Sequence, residues 1–169
     1  MKTALQRIYV VAMMQVVARG LVATSRADPV TRRELAAYPR GYQVQMRVLP
    51  AGPGFVIESG GDGRFDLARS PKRKPDLSIG FKHPAHAFLV LSFQEGTALA
   101  FAHERMVADG DVALATRLVR CLNRMEALIL PGFVARRAVK RYPDLTLREK
   151  LPTALRIYAR LARHFLIGR

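Results

Sequence analysis

The first pattern along the chain is an apolar run, residues 8–18, bounded by Arg7 and Arg19. It is much shorter than the roughly 20 residues that span a bilayer. On a helical wheel Arg7, Gln15 and Arg19 fall within one third of the circle and leave a wide apolar face. Arg19 and the absence of a good cleavage site after it argue against an exported signal peptide. We therefore expect residues 1–23 to form a helix that either covers a core or lies against a membrane.

The next stretch alternates between apolar and polar side chains, which is typical of half-buried strands. It follows a short helix predicted over 29–37, and the glycine-rich segment 59–63 inside it is a hairpin signal. We predict four short strands, at residues 42–48, 55–58, 65–67 and 77–81. Because tight turns join consecutive strands, the sheet should be largely antiparallel.

From Pro84 onward the apolar positions recur at helical spacing. This predicts helices over 85–94, 97–105 and 112–130, with a short strand at 106–108. Asp111 is placed to cap the helix that begins at residue 112. The fold class is therefore α+β: a five-stranded, largely antiparallel sheet covered on one face by helices, with added N-terminal and basic C-terminal helices.

Charge separates this chain from an average globular domain. Lysine and arginine number 28 against 13 acidic residues, a formal net charge of +15, and 22 of the 28 are arginine. Residues 136–169 carry ten of these basic side chains and two acids. A helix from about Pro152 would place Arg156, Arg160 and Arg163 opposite an apolar face, as in surface-binding amphipathic helices. That face either docks on an anionic membrane or packs on the domain, and both interpretations stay open.

Candidate catalytic chemistry is weak, and we expect no enzyme activity and no cofactor. No nucleophile elbow, zinc-protease or phosphate-loop motif occurs. The lone Cys121 is expected to be a buried structural thiol. We expect His83, His86 and His103 to have solvent partners rather than to bind a metal.

The order of elements resembles the sterol carrier protein 2 family over about residues 35–130. The similarity rests on the alternating strand 75–81, the helices of 84–105, and a short strand ending in Gly110-Asp111 before a leucine-rich helix. On this comparison the chain divides into an N-terminal apolar helix and linker (1–34), a sterol-carrier-like lipid-binding domain (35–130) and a basic amphipathic extension (131–169).

The resemblance implies a non-catalytic lipid carrier with an apolar tunnel between sheet and helices. Its ligand would be an acyl, sterol-like or polyprenyl chain. A bacterial branch of the family that assists ubiquinone biosynthesis suggests presentation of precursors to biosynthetic enzymes. The expected lining residues are Phe88, Leu89, Phe93, Leu99, Phe101, Met106, Leu114, Leu118, Leu122, Met125 and Ile129. The protein would be cytoplasmic and peripheral to acidic membranes, which Arg156, Arg160 and Arg163 would contact.

A basic nucleic-acid-binding module is the alternative, since arginine suits phosphate contacts. The aromatic side chains argue against it. Tyr42, Phe55, Phe65 and Phe81 occupy strand positions predicted to face the core, and a stacking platform needs exposed rings.

Overall fold

A computed structural model describes residues 2–129, 151–159 and 162. The helices are α1 (Lys2–Ala27), α2 (Pro29–Leu35), α3 (Pro84–Leu91), α4 (Thr97–Ala102) and α5 (Val112–Ile129). The strands are β1 (Gln43–Val48), β2 (Gly54–Ser59), β3 (Phe65–Leu67), β4 (Leu77–Phe81) and β5 (Met106–Asp109). A further helical segment covers 151–159. The predicted α+β class is confirmed, and most of the residues predicted for the basic C-terminal extension lie outside the described ones.

The five strands form one sheet in the order β3-β2-β1-β4-β5. Three neighbouring pairs are antiparallel, as predicted, but β1 and β4 run parallel, with Val44 opposite Leu77 and Val48 opposite Phe81. Alternation marks strands and their faces without giving direction, so it did not reveal this pair. The sheet is therefore mixed and mostly antiparallel.

One face of the sheet is the floor of the apolar core. The central strands β1 and β4 present every second side chain to it, as their alternation predicts. These buried residues are Val44, Met46, Val48, Leu77, Ile79 and Phe81. Ile57 of β2 and Phe65 of β3 extend the same apolar core. With Met106 of β5, the core therefore reaches from one edge strand of the sheet to the other.

Helix α1 covers this core. It contacts β2, β3, α2, α3 and α5. Its inward side chains Val10, Met14, Val17 and Leu21 belong to the same buried cluster as the sheet. By length and composition the stretch Ala4–Ala27 could cross a membrane, but 56% of its apolar window is buried inside the protein. Of the two roles the sequence left open, the described structure shows a helix that covers a core.

Candidate functional site

The core between the helices and the sheet is rich in methionine. Met14 of α1, Met46 of β1, Met106 of β5 and Met125 of α5 are all at most 4% exposed and share one cluster. Methionine is unbranched and flexible, so it fills irregular space and repacks at low cost. We call the whole buried cluster that contains these four methionines the methionine core.

The predicted lining residues fall into three groups around this core. Four are buried within it: Met106, Leu118, Leu122 and Met125. Four more are half-buried and pack against it: Phe88, Phe101, Leu114 and Ile129. The structure does not gather the remaining three there: Leu89 and Phe93 are half-buried outside the cluster, and Leu99 is 50% exposed. Lipid contact by any of these residues stays a prediction.

Sequence reasoning missed how closely α1 fits against the predicted lining. A Cβ built on Gly20 of α1 would lie 2.8 Å from the Met125 sulfur, so a glycine at this position lets the two helices approach. The ring of Tyr9 meets that of Phe88 edge-on, and its hydroxyl donates to the Leu91 carbonyl at 3.1 Å. In this structure the apolar side chains of α1 therefore occupy the space that the resemblance assigned to a ligand.

The outer face of α5 is occupied by ion pairs with α2 and the residue before it. The guanidinium groups of Arg117 and Arg120 donate to the Glu34 carboxylate at 3.0 and 2.9 Å, and Arg124 pairs with Asp28. The hydrogen bond from Arg120 holds the pKa of Glu34 below its usual value. These three arginines thus join α5 to α2 and to the residue before α2. At the start of α5, Asp111 accepts from the amides of Ala113 and Leu114, which confirms the predicted cap.

A second charged group ties α4 to β5. Glu95 is buried just before α4. Its carboxylate lies 2.8 Å from the Nδ1 of His103 and accepts a hydrogen bond from Arg105. Burial alone would raise the pKa of Glu95, but these two partners outweigh it and lower that pKa. His103 is therefore committed to a carboxylate, while His83 caps α3 by accepting from the Ala85 amide at 3.1 Å. Within the described ranges no three histidine, cysteine or acidic side chains group as metal ligands.

Two titratable groups on α5 are shifted by burial. Cys121 is buried, and loss of solvent raises the pKa of its thiol to about 12. A thiol with so high a pKa holds almost no nucleophilic thiolate at neutral pH. Burial also raises the pKa of Glu126 to about 7. Nothing in the sequence pattern set Glu126 apart, because it lies among the other polar positions of an amphipathic helix.

The segment 151–159 divides its apolar side chains between the protein and solvent. Ile157 is buried against Ala23, Ala27 and Leu128, whereas Leu155 and Tyr158 are 74% and 52% exposed. Arg156 is exposed. Arg160 and Arg163 lie outside the described residues. The inward position of Ile157 depends on docking against α1 and α5, which helical periodicity within the segment does not reveal.

No protein-family model matches the chain, and no curated protein matches it either. Solved structures do. A UbiJ-SCP2 ubiquinone synthesis protein matches with a TM-score of 0.46 and 11% identity, over 70% of this chain and 96% of that one. Sterol carrier protein domain 2 of Helicoverpa armigera matches with a TM-score of 0.48 and 16% identity, over 69% of this chain and 87% of that one. Apo sterol carrier protein 2 from Yarrowia lipolytica matches with a TM-score of 0.39 and 15% identity, over 63% of this chain and 88% of that one. These structures are sterol carrier protein 2 domains, the family that the sequence resembles.

Proposed function

We propose that this protein is a lipid carrier that holds a hydrophobic chain in the methionine core, between α1, α5 and the sheet. The observation that carries the proposal is the methionine core itself: four flexible side chains from four different elements belong to one buried apolar cluster. Such a cluster repacks more readily than one built only of branched side chains. Burial of a lipid chain there gains about 0.8 kcal/mol for each methylene, before the cost of ordering the chain.

The contacts that would have to yield are mainly apolar. Along its middle, α1 faces the core with Val10, Met14, Val17 and Leu21, and Gly20 lies against Met125. Apolar packing is non-directional, so a lipid chain can replace a side chain without leaving a buried hydrogen-bonding group unpaired. Phe88, Phe101 and Leu114 are half-buried and pack against this core, and we place the rim through which the chain would enter beside them.

Membrane docking is the second part of the proposal. The segment 151–159 exposes Leu151 and Leu155 beside the exposed Arg156. An apolar side chain next to a cation is the arrangement that binds an acidic bilayer surface, with roughly 1 kcal/mol for each basic residue near the headgroups. We extend the contact to Arg160 and Arg163 from the sequence pattern. The carrier would then load at the cytoplasmic side of a membrane.

The finer identity of the ligand comes from the sequence resemblance. It leaves an acyl, a sterol-like and a polyprenyl chain open, and its ubiquinone branch adds presentation of a precursor to biosynthetic enzymes, with no catalysis by the carrier. The burial of the aromatic strand residues argues against the nucleic-acid alternative, because Phe65 and Phe81 are at most 1% exposed and Tyr42 and Phe55 are half-buried against the core.

The proposal is tested by titrating the full chain with a fluorescent fatty acid. Phe101→Glu places a carboxylate at the rim of the methionine core, where a bound chain would have to desolvate it. We expect at least about tenfold weaker binding, a loss of about 1.4 kcal/mol. Val30→Glu, at an exposed apolar position on α2, is the matched control and should bind as the wild type does. Thermal unfolding of both variants verifies that they are folded. Equal affinity in all three folded proteins would refute binding through this rim.

A further inference from the structure

A groove of about 1240 Å³, which we call the arginine groove, lies where the C-terminal half of α1 faces β2 and β3. Its wall carries four arginines and two carboxylates: Arg19, Arg26, Arg40, Arg69, Glu58 and Asp66. These residues come from α1, the turn before β1, and both strands of the β2–β3 hairpin with the loop that follows. The sequence gives no sign of this convergence, because the arginines are spread over 50 positions.

Both carboxylates in the groove already have partners. Glu58 accepts from the side-chain amide of Gln43 at 2.7 Å, and Asp66 pairs with Arg26. Arg40 and Arg69 are exposed and have no ion pair or hydrogen bond to another described residue. With four cations against two anions the groove has an excess of two positive charges. Asp66 is neutralised by Arg26, whereas the partner of Glu58 is a neutral amide.

The framework that carries these arginines is held by hydrogen bonds. The Gly41 amide donates to the Ser59 carbonyl at 2.8 Å, and the Gly60 amide donates to the Arg64 carbonyl at 2.9 Å. The Ser59 hydroxyl donates to the Tyr38 carbonyl at 3.2 Å. The groove is thus a fixed cavity, in which like charges repel one another unless an anion enters.

We propose that this groove binds a phosphate or diphosphate ester. Guanidinium groups present planar pairs of N–H donors that match phosphate oxygens, and Arg40 and Arg69 have this donor capacity to spare. Val22 and Leu67 supply an apolar strip along the same wall, which suits a phosphate joined to a hydrocarbon. The ligand is either the headgroup of a lipid or a soluble phosphate compound. This anion site is separate from the methionine core and shares only Val22 with it.

The test measures two ligands against two charge-matched double variants of the full chain. Calorimetry follows inorganic pyrophosphate, and flotation follows vesicles of phosphatidic acid in phosphatidylcholine. Arg40→Glu with Arg69→Glu reverses both unpaired arginines of the groove. Arg33→Glu with Arg47→Glu makes the same change in net charge at exposed positions outside it. We expect the groove variant to bind at least about tenfold more weakly, and the control to stay within about threefold of wild type.

The two arms distinguish the source of the phosphate. A selective loss of pyrophosphate binding assigns the site to soluble phosphates, and a selective loss confined to vesicles assigns it to lipid headgroups. Equal weakening in both double variants would show that binding follows net charge alone, and absence of binding to either ligand would also overturn the site. Phe101→Glu should leave this binding unchanged, so the anion site and the lipid carrier proposal can fail independently.

Discussion

Replacing Asp28 with alanine should lower the free energy of unfolding by about 3–5 kcal/mol. The Asp28 carboxylate, 4% exposed, caps α2 through the Thr31 amide at 2.8 Å and also accepts from the Thr31 hydroxyl at 2.7 Å. It receives Arg124 of α5 through two nitrogens, at 2.6 and 2.9 Å. Loss of the carboxylate removes the cap of α2 and also leaves the half-buried guanidinium of Arg124 without its counter-charge. Urea unfolding of the two proteins measures the effect.

The control for this prediction is Asp62→Ala. Asp62 pairs with Arg64 at 3.5 Å, with both side chains 55% exposed, and exposed pairs contribute little. Its change in stability should stay within about 1 kcal/mol. Similar losses for Asp28→Ala and Asp62→Ala would contradict the role assigned to the buried pair.

Asp28 also predicts a dependence of stability on pH. Burial would raise the pKa of this carboxyl, but hydrogen bonds from Arg124 and Thr31 outweigh it, so the folded-state pKa is lowered. A lowered pKa means that the contribution is complete above the unfolded value of about 3.9 and is lost as the pH falls through the folded value. Asp28→Asn keeps a capping oxygen without the charge. The stability difference between wild type and Asp28→Asn should therefore shrink below about pH 4, and a constant difference would contradict this assignment.

Gly63→Ala should be the most damaging of the conservative changes at the β2–β3 turn. Gly63 has φ +79°, and a Cβ there would lie 2.0 Å from the carbonyl oxygen of Arg32, which is a backbone atom. Gly41 has nearly the same backbone, φ +77°, with nothing within 4 Å of its Cβ position. Gly41→Ala thus measures the left-handed conformation alone, at about 1–2 kcal/mol. Gly63→Ala must in addition separate the hairpin from α2.

We expect Gly63→Ala to cost at least about 2 kcal/mol more than Gly41→Ala, within the upper range for single substitutions. Denaturant unfolding of both variants gives the comparison directly. Equal losses would mean that the hairpin does not rest on α2 as described. The contact also bears on the proposed anion site, because the same hairpin forms one wall of the arginine groove.

Much of the fold follows from local pattern. Alternation in residues 42–48 and 77–81 marked β1 and β4 and the faces they bury, and Asp111 marked the start of α5. The parallel pairing of these two strands was beyond such reasoning, because it depends on the path of the chain between β3 and β4. Local rules describe elements, while strand order depends on how their buried faces combine.

The sequence predicted which residues of α5 line the candidate site, but it did not predict that α1 packs against them. Periodicity correctly indicated that Leu118, Leu122 and Met125 point inward. It did not show that Gly20 of α1 lies against Met125, because that contact joins residues 105 positions apart. The arginine groove was hidden for the same reason: Arg40 and Arg69 look like solvated surface residues until the β2–β3 hairpin folds against α1.

The most direct test of the carrier proposal is native mass spectrometry of the full chain purified from its own host, followed by solvent extraction. The proposal predicts a fraction of the protein carrying an extra mass that organic solvent removes and that is depleted in Phe101→Glu but not in Val30→Glu. Detection of unliganded protein alone, in wild type and both variants, would contradict the claim that the methionine core shelters a lipid.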